Sequence, residues 1–98
     1  MRFLYHAVHY PKPEHRDDLL RAMRRLDDAF KDTPGLLDIG VWRDELSRGI
    51  VALSFWESRE RFEAAAGRFV AAIADVPFDE WEERPAELLE LQQVTLPD

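Results

Sequence analysis

The sequence predicts an α+β domain whose elements run β-α-β-β-α-β, and three observations predict it. Two apolar stripes recur at helical spacing, Leu19-Met23-Leu26-Phe30 and Phe62-Ala66-Phe69-Ile73, each stepping four, three and four residues. Around them lie short runs rich in β-branched and aromatic residues, bounded by Pro and Gly. The middle two runs are joined only by the polar link Asp44-Glu45-Leu46-Ser47-Arg48, which is short enough for a hairpin.

Taken in order, Phe3 to Tyr10 reads as the first strand, closed by Pro11 and Pro13. Pro13-Glu14 opens a helix, because proline suits a first turn and the early acids Glu14, Asp17 and Asp18 suit the positive end of the dipole. Thr33-Pro34-Gly35 ends it. Leu36 to Arg43 and Gly49 to Trp56 are the second and third strands. Ser58 is the expected N-cap of the second helix, with Glu60 in its first turn, and Val76-Pro77 stops that helix. Phe78 to Arg84 reads as one short turn holding Trp81 against the core. By pattern alone the stretch after Pro85 fits strand or helix; a strand is expected, since it completes the cover of the second helix. The result is a ferredoxin-like, four-stranded antiparallel sheet with both helices on one face.

Composition narrows the function. A chain of 98 residues with 46% hydrophobic content suffices for a single domain over residues 1–98. The net charge of −7 argues against nucleic acid or an anionic membrane as partner, because both need a basic field. Arg21, Arg24 and Arg25 are interleaved with Asp17, Asp18, Asp27 and Asp28, the pattern of a solvated helix face. There is no cysteine, so disulfides, thiol catalysis and thiolate-bound metals are excluded. The stretch Met1 to His6 lacks the long apolar run of a signal peptide and no window resembles a membrane span, so a cytoplasmic location is expected.

The strands also predict a partner. A sheet with one face in water alternates apolar and polar residues. Ile50-Val51-Ala52-Leu53-Ser54-Phe55-Trp56 is apolar on both sides, and so is most of Phe3 to Tyr10. An open apolar face of that size calls for a cover, and a homodimer through the open sheet face supplies it. The competing expectation is that the tail folds over the sheet within one chain.

Val51 to Phe62, with its Trp56-Glu57-Ser58 step from strand to helix, resembles a segment of antibiotic biosynthesis monooxygenase (ABM)-like proteins. Pro34-Gly35-Leu36-Leu37 is similar to the start of their second strand. The resemblance implies a dimeric α+β barrel, two sheets face to face, with a ligand pocket between sheet and helices in each subunit. It also implies a function among cofactor-independent oxygenases of quinols and polyketide aromatics, haem-degrading enzymes, and members without known activity. Haem-degrading members use an asparagine on the first strand and a histidine in the second helix. This sequence has no asparagine, Ala7 falls at the first position, and Ala65 or Ala66 falls at the second.

Candidate site residues follow from strand alternation. Phe3, Tyr5, Ala7 and His9 share one face of the first strand, whereas Leu4, His6, Val8 and Tyr10 share the other. His6 and His9 therefore point opposite ways and cannot hold one metal together; no metal site and no cofactor are expected. If Trp56 faces the pocket, as the resemblance implies, Ser54 lies on the same face, and Phe62 and Phe69 join them as the substrate-binding wall. His9 is then the general base for a phenolic or quinol proton, and Tyr5 orients the substrate oxygen. The expected ligand is a small apolar or aromatic molecule. Each residue also has a plainer role: His9 as a structural strand-end histidine, Tyr5 as a core-edge residue, and Trp42, Trp56 and Trp81 as core or interface. His15 is expected on the surface. A non-catalytic dimeric stress or interaction protein, its interior filled by Phe62, Phe69 and Trp56, is the alternative function, and a haem-binding protein is the third.

Overall fold

The computed structural model describes residues 1–98. Its strands are β1 (Phe3–His9), β2 (Leu36–Arg43), β3 (Ile50–Trp56) and β4 (Glu87–Gln92), and its helices α1 (Arg16–Phe30), α2 (Arg59–Ala72) and the short α3 (Phe78–Trp81). One four-stranded sheet has the order β2-β3-β1-β4, with every neighbouring pair antiparallel. This is the expected ferredoxin-like arrangement, and the stretch after Pro85 is a strand.

Local differences have local causes. Pro13–His15 forms a 3-10 turn ahead of α1, and His15 takes the N-cap position. Its ring nitrogen Nδ1 meets Asp18 Oδ2 at 3.0 Å, and the ring stacks on Trp81 at 5.9 Å. His15 is thus half-buried, where a surface position was expected. Ser58 caps α2 as predicted, its hydroxyl accepting the Arg61 N–H at 3.2 Å. Gly35 sits at φ +87°, and a Cβ there would meet the Arg61 side chain at 2.5 Å, so both backbone and space require glycine.

The core lies between the sheet and α1. Phe3, Trp56, Leu19 and Phe30 are its largest sealed side chains. Each such side chain contributes roughly 1.5–3 kcal/mol on burial. The α1 stripe predicted from spacing is buried throughout, together with Ala22. α2 sits higher: only Ala65 is buried, whereas Phe62, Phe69 and Ile73 are half-buried. Phe69, which touches Tyr5 of β1 edge-on, and Ile73 also line a cavity.

The register fixes the opposite face. Phe3↔Trp56, Tyr5↔Ser54, Ala7↔Ala52 and His9↔Ile50 face the helices, while Leu4↔Phe55, His6↔Leu53 and Val8↔Val51 face away. Leu91 and Leu89 extend that outer face beside Leu4 and His6. Trp42 on β2 lies 47% exposed, Leu89 49% and Leu91 48%. The outer face is apolar over its middle, with Asp38 beside Phe55 and Glu87 beside Val8 at its margins, and no helix lies over it. His6 stands at its centre, and its Nδ1 is buried without a hydrogen-bond partner.

Candidate functional site

The cavity arises because the middle of the sheet is made of small residues. Ala7 and Ala52 oppose each other across β1 and β3; on β2 Val41 pairs with Ala52, and the backbone of Gly40, which pairs with Leu53, borders the cavity. Above them α1 contributes Met23 and Leu26, and α2 contributes Phe69. The volume is about 510 Å³, within the range of small-molecule sites.

His9 closes one end of the floor. Its Nδ1 lies 2.9 Å from Glu82 Oε1, with the two side chains only 9% and 5% exposed. The same carboxylate oxygen accepts the Tyr10 backbone N–H at 3.0 Å. Phe78 stacks on the His9 ring at 5.5 Å. The other ring nitrogen, Nε2, makes no hydrogen bond, yet the sole sealed side-chain polar atom without a partner is in His6. His9 lines the cavity. Nε2 is therefore an accessible nitrogen on a fixed ring.

Tyr5 stands at the other end, stacked on Phe62 at 5.0 Å and edge-on to Phe69 at 5.6 Å. Burial, with the Glu90 carboxylate adding to it, pushes the Tyr5 phenol up, so at neutral pH it is a hydrogen-bond donor and not a base. Ser54, directly opposite, accepts the Trp56 indole N–H at 2.9 Å. Tyr5 and His9 are four positions apart along β1, about 13 Å between Cα atoms at strand rise. They stand at opposite ends of the cavity floor, too far apart to meet on one oxygen.

The polar lining is acidic. Asp27, Asp79, Glu82 and Glu83 border the cavity against one cation, Arg84. Arg84 lies over the Tyr10 ring at 3.6 Å, and Tyr10 donates its hydroxyl to Glu87 at 3.0 Å. Asp27 is half-buried on α1, and burial, reinforced by Asp28, pushes its carboxyl up. No three His, Asp or Glu side chains converge as a metal-holding group.

Of the residues expected from sequence, His9, Tyr5, Ser54 and Phe69 line the cavity. Trp56 and Phe62 stand behind that lining: Trp56 is sealed at 0% exposure and packs edge-on against Phe30 and Phe62. Trp56 pairs with Phe3, at the opposite end of the sheet from His9. Sequence reading missed Glu82, Phe78 and Asp27. Glu82 was hidden in the run Trp81-Glu82-Glu83-Arg84, which looks like solvated charge, and only the folded chain brings it to His9.

A four-stranded antiparallel sheet with both helices on one face and a cavity beneath them places the chain in the ferredoxin-like α+β class. Residues 3–68 match the antibiotic biosynthesis monooxygenase family, and the chain belongs to it. Solved structures with the same fold include Rv0793 from Mycobacterium tuberculosis, at 15% identity, TM-score 0.82 and 100% coverage of both chains. A conserved protein from Methanosarcina mazei Go1 aligns at 15% identity and TM-score 0.82, over 96% of this chain and 94% of that one. The haem-degrader MhuD from Mycobacterium tuberculosis, solved with two haems in its active site, aligns at 21% identity and TM-score 0.71, over 98% and 99%. A search of curated proteins finds no match.

Proposed function

We propose that this family member binds a small aromatic or quinol-like molecule in the cavity and oxygenates it without a bound cofactor. The observation that carries the reading is the accessible Nε2 of His9 at the end of an apolar cavity of about 510 Å³. In this reading a quinol hydroxyl lies against Nε2 and passes its proton there. The electron-rich anion then reduces dioxygen, one oxygen atom entering a ring carbon and the other leaving as water; a hydroquinone gives a hydroxyquinone. The protein's part is to hold the ring flat over Ala7 and Ala52, exclude water, and take the proton. Tyr5 donates to the far end of the ligand.

A porphyrin fits this donor set poorly. Its propionates would meet Asp27, Asp79, Glu82 and Glu83 with Arg84 as the single counter-charge. Likeness to a haem-degrader therefore supports the fold and not haem chemistry.

The same reading includes a homodimer. Trp42, Leu89 and Leu91 with Leu4, Leu53 and Phe55 make an apolar outer face, and a second copy of that sheet is the partner of matching shape and chemistry.

The test is oxygen uptake with a panel of one- and two-ring hydroquinones. Uptake that falls about 100-fold or more in His9→Ala supports the base assignment. Uptake unchanged in that variant removes His9 from the chemistry, and no binding of any panel member overturns the reading.

A further inference from the structure

We infer that Glu82 is the positioning residue for His9, holding its imidazole with the proton on Nδ1 and the bare lone pair of Nε2 turned to the cavity. The inference rests on the reading of His9 as base, and its first observation is chemical. An ionised carboxylate only accepts hydrogen bonds. Glu82 Oε1 already accepts from the Tyr10 backbone N–H, so toward the same oxygen Nδ1 of His9 acts as the donor. In the neutral imidazole this leaves Nε2 as acceptor, the form a base requires.

The second observation concerns cost. Glu82 is buried at 8% exposure with no lysine or arginine bonded to it. A buried carboxylate held by one backbone N–H and one imidazole is a poor stabiliser, since apolar side chains would pack there at no electrostatic expense. The fold does not need the carboxylate to place this segment. Lys12 N–H donates to Trp81 O at 2.8 Å, and Glu83 N–H donates to Tyr10 O at 2.9 Å. Pro11 and Glu82 form a backbone bridge between those bonds. The main chain after α3 is thus zipped to the end of β1 whatever side chain stands at 82. Phe78 fixes the ring plane from the other side. Glu82 lies beyond the stretch that matches the family model, residues 3–68.

The experiment reads the proton directly. Long-range nitrogen–proton NMR of imidazole-labelled protein at neutral pH should find His9 protonated on Nδ1 in the unsubstituted chain. Glu82→Ala should move the majority to the Nε2-protonated form that free imidazoles favour. An Nε2 proton in the unsubstituted chain, or an unchanged tautomer in Glu82→Ala with native circular dichroism, overturns the inference. The near-isosteric Glu82→Gln guards against misfolding. With a hydroquinone found to be turned over, Glu82→Ala should lower kcat about 10–100-fold while KM stays within about twofold, and Glu82→Gln, whose amide oxygen still accepts from Nδ1, should restore most of it. Equal kcat in Glu82→Ala overturns the inference. The NMR result stands without turnover, so failure of the oxygenase reading and failure of the Glu82 assignment are told apart.

Discussion

Ala7 on β1 and Ala52 on β3 face each other in register, and the cavity opens directly over the two methyl groups. Larger residues there would extend the core into that space. Ala52→Leu should therefore abolish binding of a two-ring quinone, read by calorimetry or quenching of tryptophan emission. Its thermal midpoint should stay near that of the parent, because the added side chain enters empty volume and not packed atoms.

Tyr5 and His9 act at separate ends of the floor, so their variants should fail differently. Tyr5→Phe removes one hydrogen bond of roughly 0.5–1.5 kcal/mol and keeps the stack on Phe62. Steady-state kinetics with a turned-over hydroquinone should show KM raised about 2–10-fold with kcat retained. A loss in kcat comparable to that of His9→Ala would place Tyr5 at the proton instead.

Acid stability follows from four aspartates. Asp18 is held below the ordinary range by His15 and Arg21, Asp44 by the Ser47 hydroxyl and the Leu46 and Ser47 amides, and Asp75 by Arg25. A depressed carboxyl stabilises the fold above its unfolded value, roughly pH 4, and that help is lost as pH falls through the folded value. Asp27 has the opposite sign. Its folded value is raised, so its contribution is present at acid pH and lost as pH rises through that value. Urea midpoints should fall below pH 4 in the parent. Asp27→Asn should raise the midpoint at pH 7, and Asp44→Asn should lower it.

The outer sheet face predicts self-association. Leu91→Glu puts a carboxylate among Leu4, Phe55 and Leu89 without touching the helical side. Sedimentation should show the parent as a dimer at micromolar concentration and the variant as a monomer with native circular dichroism. A parent that sediments as a monomer removes the homodimer.

The element order was legible because both helices carry strong helical periodicity and the first three strands are β-branched and aromatic runs bounded by Pro, Gly or a short polar link. α1 followed its stripe to the residue, with Leu19, Met23, Leu26 and Phe30 all buried. The α2 stripe was equally regular, yet Phe62 and Phe69 stay half-buried, since spacing records which residues share a side and not how much space lies beneath. His9 and Tyr5 could be placed on one strand face by alternation. That they serve opposite ends of the cavity follows from strand rise, which the pairing with Ser54 and Ile50 makes concrete. Glu82 was illegible for a different reason: its partner lies 73 residues away, and nothing in a local window distinguishes it from Glu83.

That separation has a consequence for how the molecule is made. His9 leaves the ribosome 73 residues before the carboxylate that faces it, so the ring is fixed only once that later segment is in place. The orientation of the ring, and with it the base role proposed for His9, therefore depends on the closing segment docking on Pro11 and Lys12.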